Sequence, residues 1–401
     1  YGLDVEILTP EQQLPDMKKE TLADFAMRKD LPEDLNRLME IRGDLTSTSI
    51  AKVEAMRRTV CKDGSAKGLL QYHAASPGRW GGRLLQPQNF PRGTGKAGSP
   101  DELVADIMER DAGALVDKYG SAIQAISTSL RHGLIAREGH LFCAADFSSI
   151  EARVVLAIAG QLDVIEKMKD PKYDIYNDLA SKIYGYAIDR KGNPDHAIQG
   201  QMGKGGVLGC GFQMGAPRFV AQVKTQTGLE STLETATEVV QTYRKEFAPK
   251  GTKMWYGLDD ASTRAVWDRT TEEAFGITYQ LEDAWLTARL PSGRKLYYFD
   301  PQPIKKAMPW DDTDIRPGWK YRQMKAGQFK TIYAYGGLLT ENVVQATARD
   351  IMVDRMFAVE MELAFPILLT VHDELITEPR AELADHKARE QVMEDAPQWA
   401  K

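Results

Sequence analysis

The sequence predicts an α+β fold with a sizeable core, and three observations carry that prediction. Near the C-terminus, the apolar run Pro366-Ile367-Leu368-Leu369-Thr370 and its return Leu375-Ile376-Thr377 flank Val371-His372-Asp373-Glu374, as two strands of a tight hairpin would. Residues 140–147 read as a buried strand that passes directly into an apolar helix over 149–159. Stretches of helical period, 219–283 and 339–363, fill much of the remainder. At 401 residues the chain exceeds the usual domain of roughly 100–200 residues, so two or three subdomains are expected.

Taken in order, the first elements are short helices opening at Thr9-Pro10-Glu11, Pro32-Glu33-Asp34 and Ser47-Thr48-Ser49, the last continuing through Ile50, Val53 and Met56. Residues 71–91 are rich in Gly, Arg and Gln and read as extended, 93–100 as a flexible loop, and 102–131 as helical. Pro194 precedes a helix over 195–208. Pro291-Ser292-Gly293 turns one apolar run into the next, giving a hairpin over 287–298. An amphipathic helix from about Glu382 closes the chain, which has no internal repeat.

Composition excludes some classes and leaves others open. With 43% hydrophobic and 27% charged residues, the chain is ordinary for a soluble globular protein. It has neither a run of roughly 20 apolar residues nor a secretory signal, so neither a membrane partner nor secretion is expected. Cys61, Cys143 and Cys210 match no zinc spacing and read as reduced intracellular thiols, consistent with a cytoplasmic protein. A net charge of −6 does not advertise a nucleic-acid binder, but binding needs a local basic surface rather than a basic total. Such a segment exists: Arg316, Lys320, Arg322, Lys325 and Lys330 are interleaved with Trp319, Tyr321 and Phe329, as a nucleic-acid strand or a solvated loop would have it.

Two aspartates stand at strand ends. Asp373 lies at the hairpin tip, and Asp146 ends the earlier strand, with Glu151 five residues on in the first helical turns. A pair of rigidly presented carboxylates suits two metal ions roughly 3.5–4 Å apart, and magnesium suits few carboxylates plus phosphate oxygens. The alternative is local: Asp favours turns and helix caps for its own hydrogen bonds. Between them, Lys204, Leu208 and Phe212 recur every four residues in a glycine-rich helix, putting a cation, an apolar residue and an aromatic on one face. That face suits a nucleotide, whereas a glycine-rich linker is the plainer reading.

In this order the elements resemble the polymerase domain of family A DNA polymerases (the DNA polymerase I type), phage-like. Asp146-Phe147-Ser148-Ser149-Ile150-Glu151-Ala152-Arg153 resembles the first palm motif, Lys204 to Phe212 the fingers helix, and Val371-His372-Asp373-Glu374 the second palm motif. Gly78-Arg79 with Gln88-Asn89-Phe90-Pro91, and Gln345-Ala346-Thr347-Ala348-Arg349-Asp350, resemble two further elements. The resemblance implies a right-hand architecture: an antiparallel palm sheet, helical fingers and a short or truncated thumb. Its divisions would be an N-terminal helical segment over 1–65, palm over 66–153 with a helical insertion at 93–135, fingers over 154–335 with an insertion at 250–335, and palm again over 336–401.

It further implies a template-directed polymerase that adds deoxynucleotides to a primer 3′-hydroxyl. Asp146, Asp373 and the Phe147 carbonyl would hold two Mg2+ ions, with Mn2+ as a substitute. Lys204 would hold the triphosphate, Glu151 would exclude a 2′-hydroxyl, and Leu208 and Phe212 would meet the nucleotide. Arg79, Asn89, Arg153 and Gln345 would contact DNA, and His372 and Glu374 would orient the primer end and the metal site. Primed DNA template and dNTPs are the implied partners of a monomer in a bacterial host cytoplasm, alongside replication accessory proteins. A single-subunit RNA polymerase or a non-catalytic DNA-binding relic are the alternatives.

Three departures stand out. Gly200 occupies the place one turn before the fingers lysine where the family has an arginine, so Gly200→Arg is expected to lower the nucleotide KM unless Arg190 or His196 substitutes. Leu208 stands where an aromatic is usual, and Asn342 lies one residue off the usual spacing to Gln345. The chain begins at Tyr1, as a processed or truncated polypeptide would, and 78 residues before Arg79 are too few for a thumb plus a proofreading exonuclease. Asp4-Val5-Glu6 is read as a chance match to an exonuclease pair.

Overall fold

A computed structural model describes residues 48–91, 99–227, 230–308, 311–325 and 327–400, with Asp34, Leu35, Leu38 and Arg42 before them. The helix starts expected at Thr9 and Pro32, the Asp4-Val5-Glu6 pair and most of the 93–100 loop lie outside these residues. Two compact units share the chain, one of residues 1–71 with 82–138 and one of 72–81 with 139–401.

The longer described elements of the first unit are helices. Helix α1 (Thr48–Thr59) fulfils the start expected at Thr48. Helices α2 (Pro100–Met108), α3 (Ala112–Tyr119) and α4 (Ala122–Ser129) are short because each is capped hard. The side chains of Ser99, Asp111 and Ser121 accept the first backbone N–H groups, and Gly120 ends α3 at φ 82°. Leu103, Leu115, Tyr119 and Ala125 form one small core, and Leu85, Phe90 and Leu130 another.

In the second unit, strand β1 (Cys143–Asp146) runs into helix α5 (Ile150–Ala159) as expected, but it is shorter than the buried strand expected over 140–147 and only Cys143 in it is buried. Helices α6 (Leu162–Lys167), α7 (Ile175–Tyr184), α8 (Ala197–Cys210), α9 (Ala216–Thr227), α10 (Leu233–Thr242) and α11 (Pro249–Trp267) follow. A six-stranded antiparallel meander comes next: β2 (Glu272–Ala274), β3 (Ile277–Glu282), β4 (Trp285–Arg289), β5 (Lys295–Met308), β6 (Asp311–Lys325) and β7 (Gln328–Tyr333). The long helix α12 (Gly336–Leu363), strands β8 (Ile367–Val371) and β9 (Glu374–Thr377), and helix α13 (His386–Glu394) complete it.

The meander corrects the helical reading of 219–283 beyond Trp267. Ile277 and Tyr279 are buried with a half-buried Leu281 two residues on, a two-residue period that belongs to a strand half covered by a core. Trp319 and Tyr321, read above as neighbours of the basic residues on one surface, lie instead on the covered face. Strand alternation separates them from Lys320 and Arg322, and the Trp319 indole donates to Ser262 Oγ at 3.0 Å inside the core.

One hydrophobic core joins α5, α7, α8, α10, α11, α12 and the covered face of the meander, with Trp255, Trp319, Tyr243 and Tyr279 fully buried. A second core of Met352, Val359, Phe365, Leu375 and Met393 lies under a three-stranded sheet of order β8–β9–β1.

Candidate active site

The three-stranded sheet brings the two aspartates together. In the antiparallel register of β9 on β1, Glu374 pairs Asp146, Leu375 pairs Ala145, Ile376 pairs Ala144 and Thr377 pairs Cys143. One step further, the Phe147 N–H donates to the Asp373 carbonyl at 3.2 Å. Asp146, Glu374 and Asp373 therefore stand at consecutive register positions of neighbouring strands, whose spacing is about 4.8 Å. The β8–β9 turn is as tight as expected: Val371 pairs Glu374, and His372 is exposed at φ 60°.

Among the described residues no cluster of three or more His, Cys, Asp or Glu forms a closed metal cage. An all-oxygen set of two aspartates and the Phe147 carbonyl fits magnesium nonetheless, because that ion takes one or two carboxylates and fills its octahedron with water and substrate phosphate oxygens.

Glu151 stands in the first turn of α5, entered through Ser149 at φ 53°. Its Oε1 accepts from Arg79 Nη1 at 3.0 Å, in a half-buried pair. Burial raises the Glu151 pKa above the ordinary carboxylate value; Arg79 opposes this, while Asp373 and Glu341 add to it. Glu151 thus senses the charge of Asp373, which puts both in one electrostatic neighbourhood. Arg153, on the same helix, donates to the carbonyls of Ser148 at 3.0 Å and Met168 at 3.3 Å.

Helix α8 carries its glycines because α7 lies against it. A Cβ at Gly203 would sit 2.3 Å from the Tyr176 carbonyl oxygen, so only glycine permits that approach. At Gly200 a Cβ would sit 2.3 Å from the Cβ of Arg190. The Arg190 stem thus occupies the space beside α8 one turn before Lys204. Its guanidinium donates to Asp174 Oδ2 at 3.1 and 2.9 Å and lies 5.0 Å from the Tyr176 ring. Burial works to raise the Asp174 pKa, but Arg190 and two backbone N–H groups outweigh it and hold it below the usual range. His196 is engaged locally, accepting the Asp189 N–H at 2.9 Å.

A Cβ at this position requires Arg190 to move, so Gly200→Arg would have to displace Arg190 before its guanidinium could reach a nucleotide. Lys204 is half-buried, and among the described residues nothing pairs with its ammonium. Leu208 is exposed and Phe212 half-buried.

Gln345 lines a cavity of about 530 Å3 together with His73, Ser76, Tyr321, Gln323 and Glu341. Asn342 lines the same cavity, is largely buried, and donates to the Tyr298 hydroxyl at 3.3 Å. Asn89 belongs to the other compact unit, where it donates to Gln86 Oε1 at 2.9 Å in a 3-10 turn.

Sequence reasoning missed the network that holds Arg79's segment. Arg294 donates to Asp350 Oδ1 at 2.7 Å and to the carbonyls of Pro77 and Ala346 at 2.9 and 3.0 Å. Ser292 donates to Asp350 Oδ2 at 2.5 Å, and Arg349 lies over the rings of Trp80 and Tyr72 at 4.8 and 5.6 Å. Gly78, at φ 89°, leaves the room that Arg294 Nη1 fills. The available signal was the buried-turn arginine after Pro291-Ser292-Gly293.

The short antiparallel sheet thus carries two aspartates at one end, and the helix that follows its strand β1 bears Glu151. No family model matches the chain. Over 376 residues it is 30% identical to a DNA polymerase of Bacillus phage SP02, covering 92% of this chain and 55% of that protein. Its fold matches the POL domain of Pol1 from M. smegmatis, solved in complex with DNA primer-template and dNTP, with a TM-score of 0.61 and 18% identity over 97% of this chain and 55% of that one. The chain spans about half the length of each. Together, sequence and fold support a family A DNA polymerase domain.

Proposed function

We propose that this domain is a DNA-directed DNA polymerase that extends a primer 3′-hydroxyl with deoxynucleotides. The observation that carries the reading is the register of β1 on β9, which joins Asp146 to Glu374 and Asp373 across more than two hundred residues of chain. The primer-template and dNTP bound by the M. smegmatis neighbour are the partners carried over to this chain. The palm would comprise 66–153 and 336–401 and the fingers 154–335.

Asp146, Asp373 and the Phe147 carbonyl would hold two magnesium ions, which when bound lower the pKa of the attacking hydroxyl and neutralise charge on the transferring phosphate. The 3′-oxygen bonds to the α-phosphorus, the bond to the bridging oxygen breaks, pyrophosphate leaves, and the hydroxyl proton passes to solvent. Lys204 presents its ammonium to the triphosphate, with Arg190 beside Gly200 on the same helix flank. Leu208 and Phe212 meet the nucleotide's apolar surfaces. Arg79 steadies Glu151 under the sugar, where a 2′-hydroxyl would collide, and Gln345 reads minor-groove acceptors common to all correct pairs. His372 and Glu374 steady the primer end, and Arg153 braces the turn that presents Asp146.

Primer extension with magnesium tests this. Asp146→Ala and Asp373→Ala should each lower the rate by at least a hundred- to a thousandfold, roughly what one transition-state contact supplies. The wild type should prefer dNTPs to rNTPs. No extension by the wild type would sink the catalytic reading, and an rNTP preference would replace it with an RNA polymerase.

A further inference from the structure

The meander has two faces of opposite character. Leu286, Ala288, Tyr298, Trp319 and Tyr321 point into the core. The other face carries exposed rings at Trp285 (39% exposed), Tyr297 (59%), Phe329 (49%) and Tyr333 (62%). Cross-strand register puts Trp285, half-buried Phe299 and Arg322 in a row perpendicular to the strands: Trp285 pairs Phe299 across β4–β5, Phe299 pairs Arg322 across β5–β6, and Arg322 pairs Thr331 across β6–β7. Ring centroids step from Trp285 to Phe299 in 4.9 Å and from Phe299 to Phe329 in 5.6 Å, and the Arg322 guanidinium lies 4.8 Å from the Phe329 ring. So many exposed rings on one sheet face are costly in water unless something covers them.

Charge identifies the occupant. Residues 315–333 contain Arg316, Lys320, Arg322, Lys325 and Lys330 and no acid, in a chain whose total is −6. Strand parity puts Lys320 and Arg322 on the ring-bearing face, and Arg289 joins them from β4. Glu282, on the same face, is neutralised by Lys295 at 2.6 Å. Aromatic rings interleaved with cations fit a single-stranded nucleic acid, whose bases stack on the rings while its phosphates meet the cations. A protein partner with an apolar surface would find no use for that bias. At its edge the face also reaches the candidate site, because Met324, which shares the parity of Lys320 and Arg322 and pairs Phe329, lines the cavity that contains Gln345.

We propose that the outer face of the meander is a stacking platform for the unpaired part of the template strand. This rests on the polymerase reading. The platform would hold the single strand by its bases and backbone without reading sequence, since every base has a stacking face.

Fluorescence anisotropy on the full chain tests it with three probes: an oligothymidine, a primed template with a long 5′ overhang, and a blunt duplex. Two variants are compared with wild type, the ring set Trp285→Ala/Tyr297→Ala/Phe329→Ala and the charge set Arg289→Gln/Lys320→Gln/Arg322→Gln. The ring set should bind oligothymidine and the overhang at least about tenfold more weakly, with the blunt duplex unchanged. The charge set should lower the log–log salt slope for oligothymidine by about 2, three cations at roughly 0.7 each. Unchanged single-strand affinity in both sets, or an equal loss on blunt duplex, would overturn the platform. Extension of a primed template with a one-nucleotide overhang should continue in both variants. Failure of wild type in that arm would count against the polymerase reading instead, whatever the anisotropy shows.

Discussion

At Glu151, burial and the neighbouring carboxylates outweigh the pairing with Arg79, so its pKa stays raised. A group that holds its proton more tightly when folded stabilises the fold below its unfolded pKa and loses that contribution as pH rises through the folded pKa. Glu151→Gln, always neutral, should therefore melt higher than wild type at neutral pH. The gap should close as pH falls below the ordinary glutamate value, here 4.5. Thermal melts from acid to neutral pH check this, and a gap that widens toward acid would contradict it. Gly200→Arg makes the opposite kind of change, forcing bulk into the space that Arg190 fills. It should cost about 1–3 kcal/mol in urea unfolding, as overpacking does, and raise rather than lower the nucleotide KM. A variant as stable as wild type would show that Arg190 gives way.

At the scale of elements, a buried ion pair joins α12 to the turn between β4 and β5, and its arginine also holds the segment around Arg79 through the Pro77 carbonyl. Asp350 is almost fully buried against Arg294, so Arg294→Ala would leave its carboxylate only the longer Arg349 contact at 3.3 Å and the Ser292 hydroxyl. A loss of about 3 kcal/mol is expected, and Arg294→Ala/Asp350→Ala should recover part of it, because the poorly paired buried charge is the larger cost. Chemical denaturation of the single and double variants gives that coupling directly. Much of this architecture was legible in advance: the β8–β9 hairpin, the strand ending at Asp146, and α12 all have period and punctuation that agree. The meander was less so. Pro301 and Pro303 interrupt β5, and Pro317-Gly318 interrupts β6, so propensity argues against strands that register and a shared core nevertheless impose. The Arg190–Gly200 contact was invisible because the turn over 191–196 brings the arginine back against α8, and only the space left by a missing side chain reveals it.

For the whole molecule, the meander is not an appendage. Trp319 and Tyr321 share one core with α11 and α12, and the Trp267 indole donates to the Gly318 carbonyl at 2.8 Å. Trp319→Ala should cost about 3–5 kcal/mol and shift the helical and aromatic signals of the second unit together. Separate transitions for helix and sheet would show that the insertion folds alone. Five short motifs suggested roles for individual site residues, but their mutual placement was not legible, since no local pattern encodes the pairing of segments so far apart.

That pairing has a consequence in time. Asp146 leaves the ribosome early, but its strand lacks a partner until Glu374 to Thr377 have been made. Contacts of such long sequence separation form late, because the intervening loop must close before they return any energy. On the polymerase reading, a nascent chain that already holds Lys204, Glu151 and Asp146 would be inert, and competence would arrive with the β8–β9 hairpin rather than grow by degrees during synthesis.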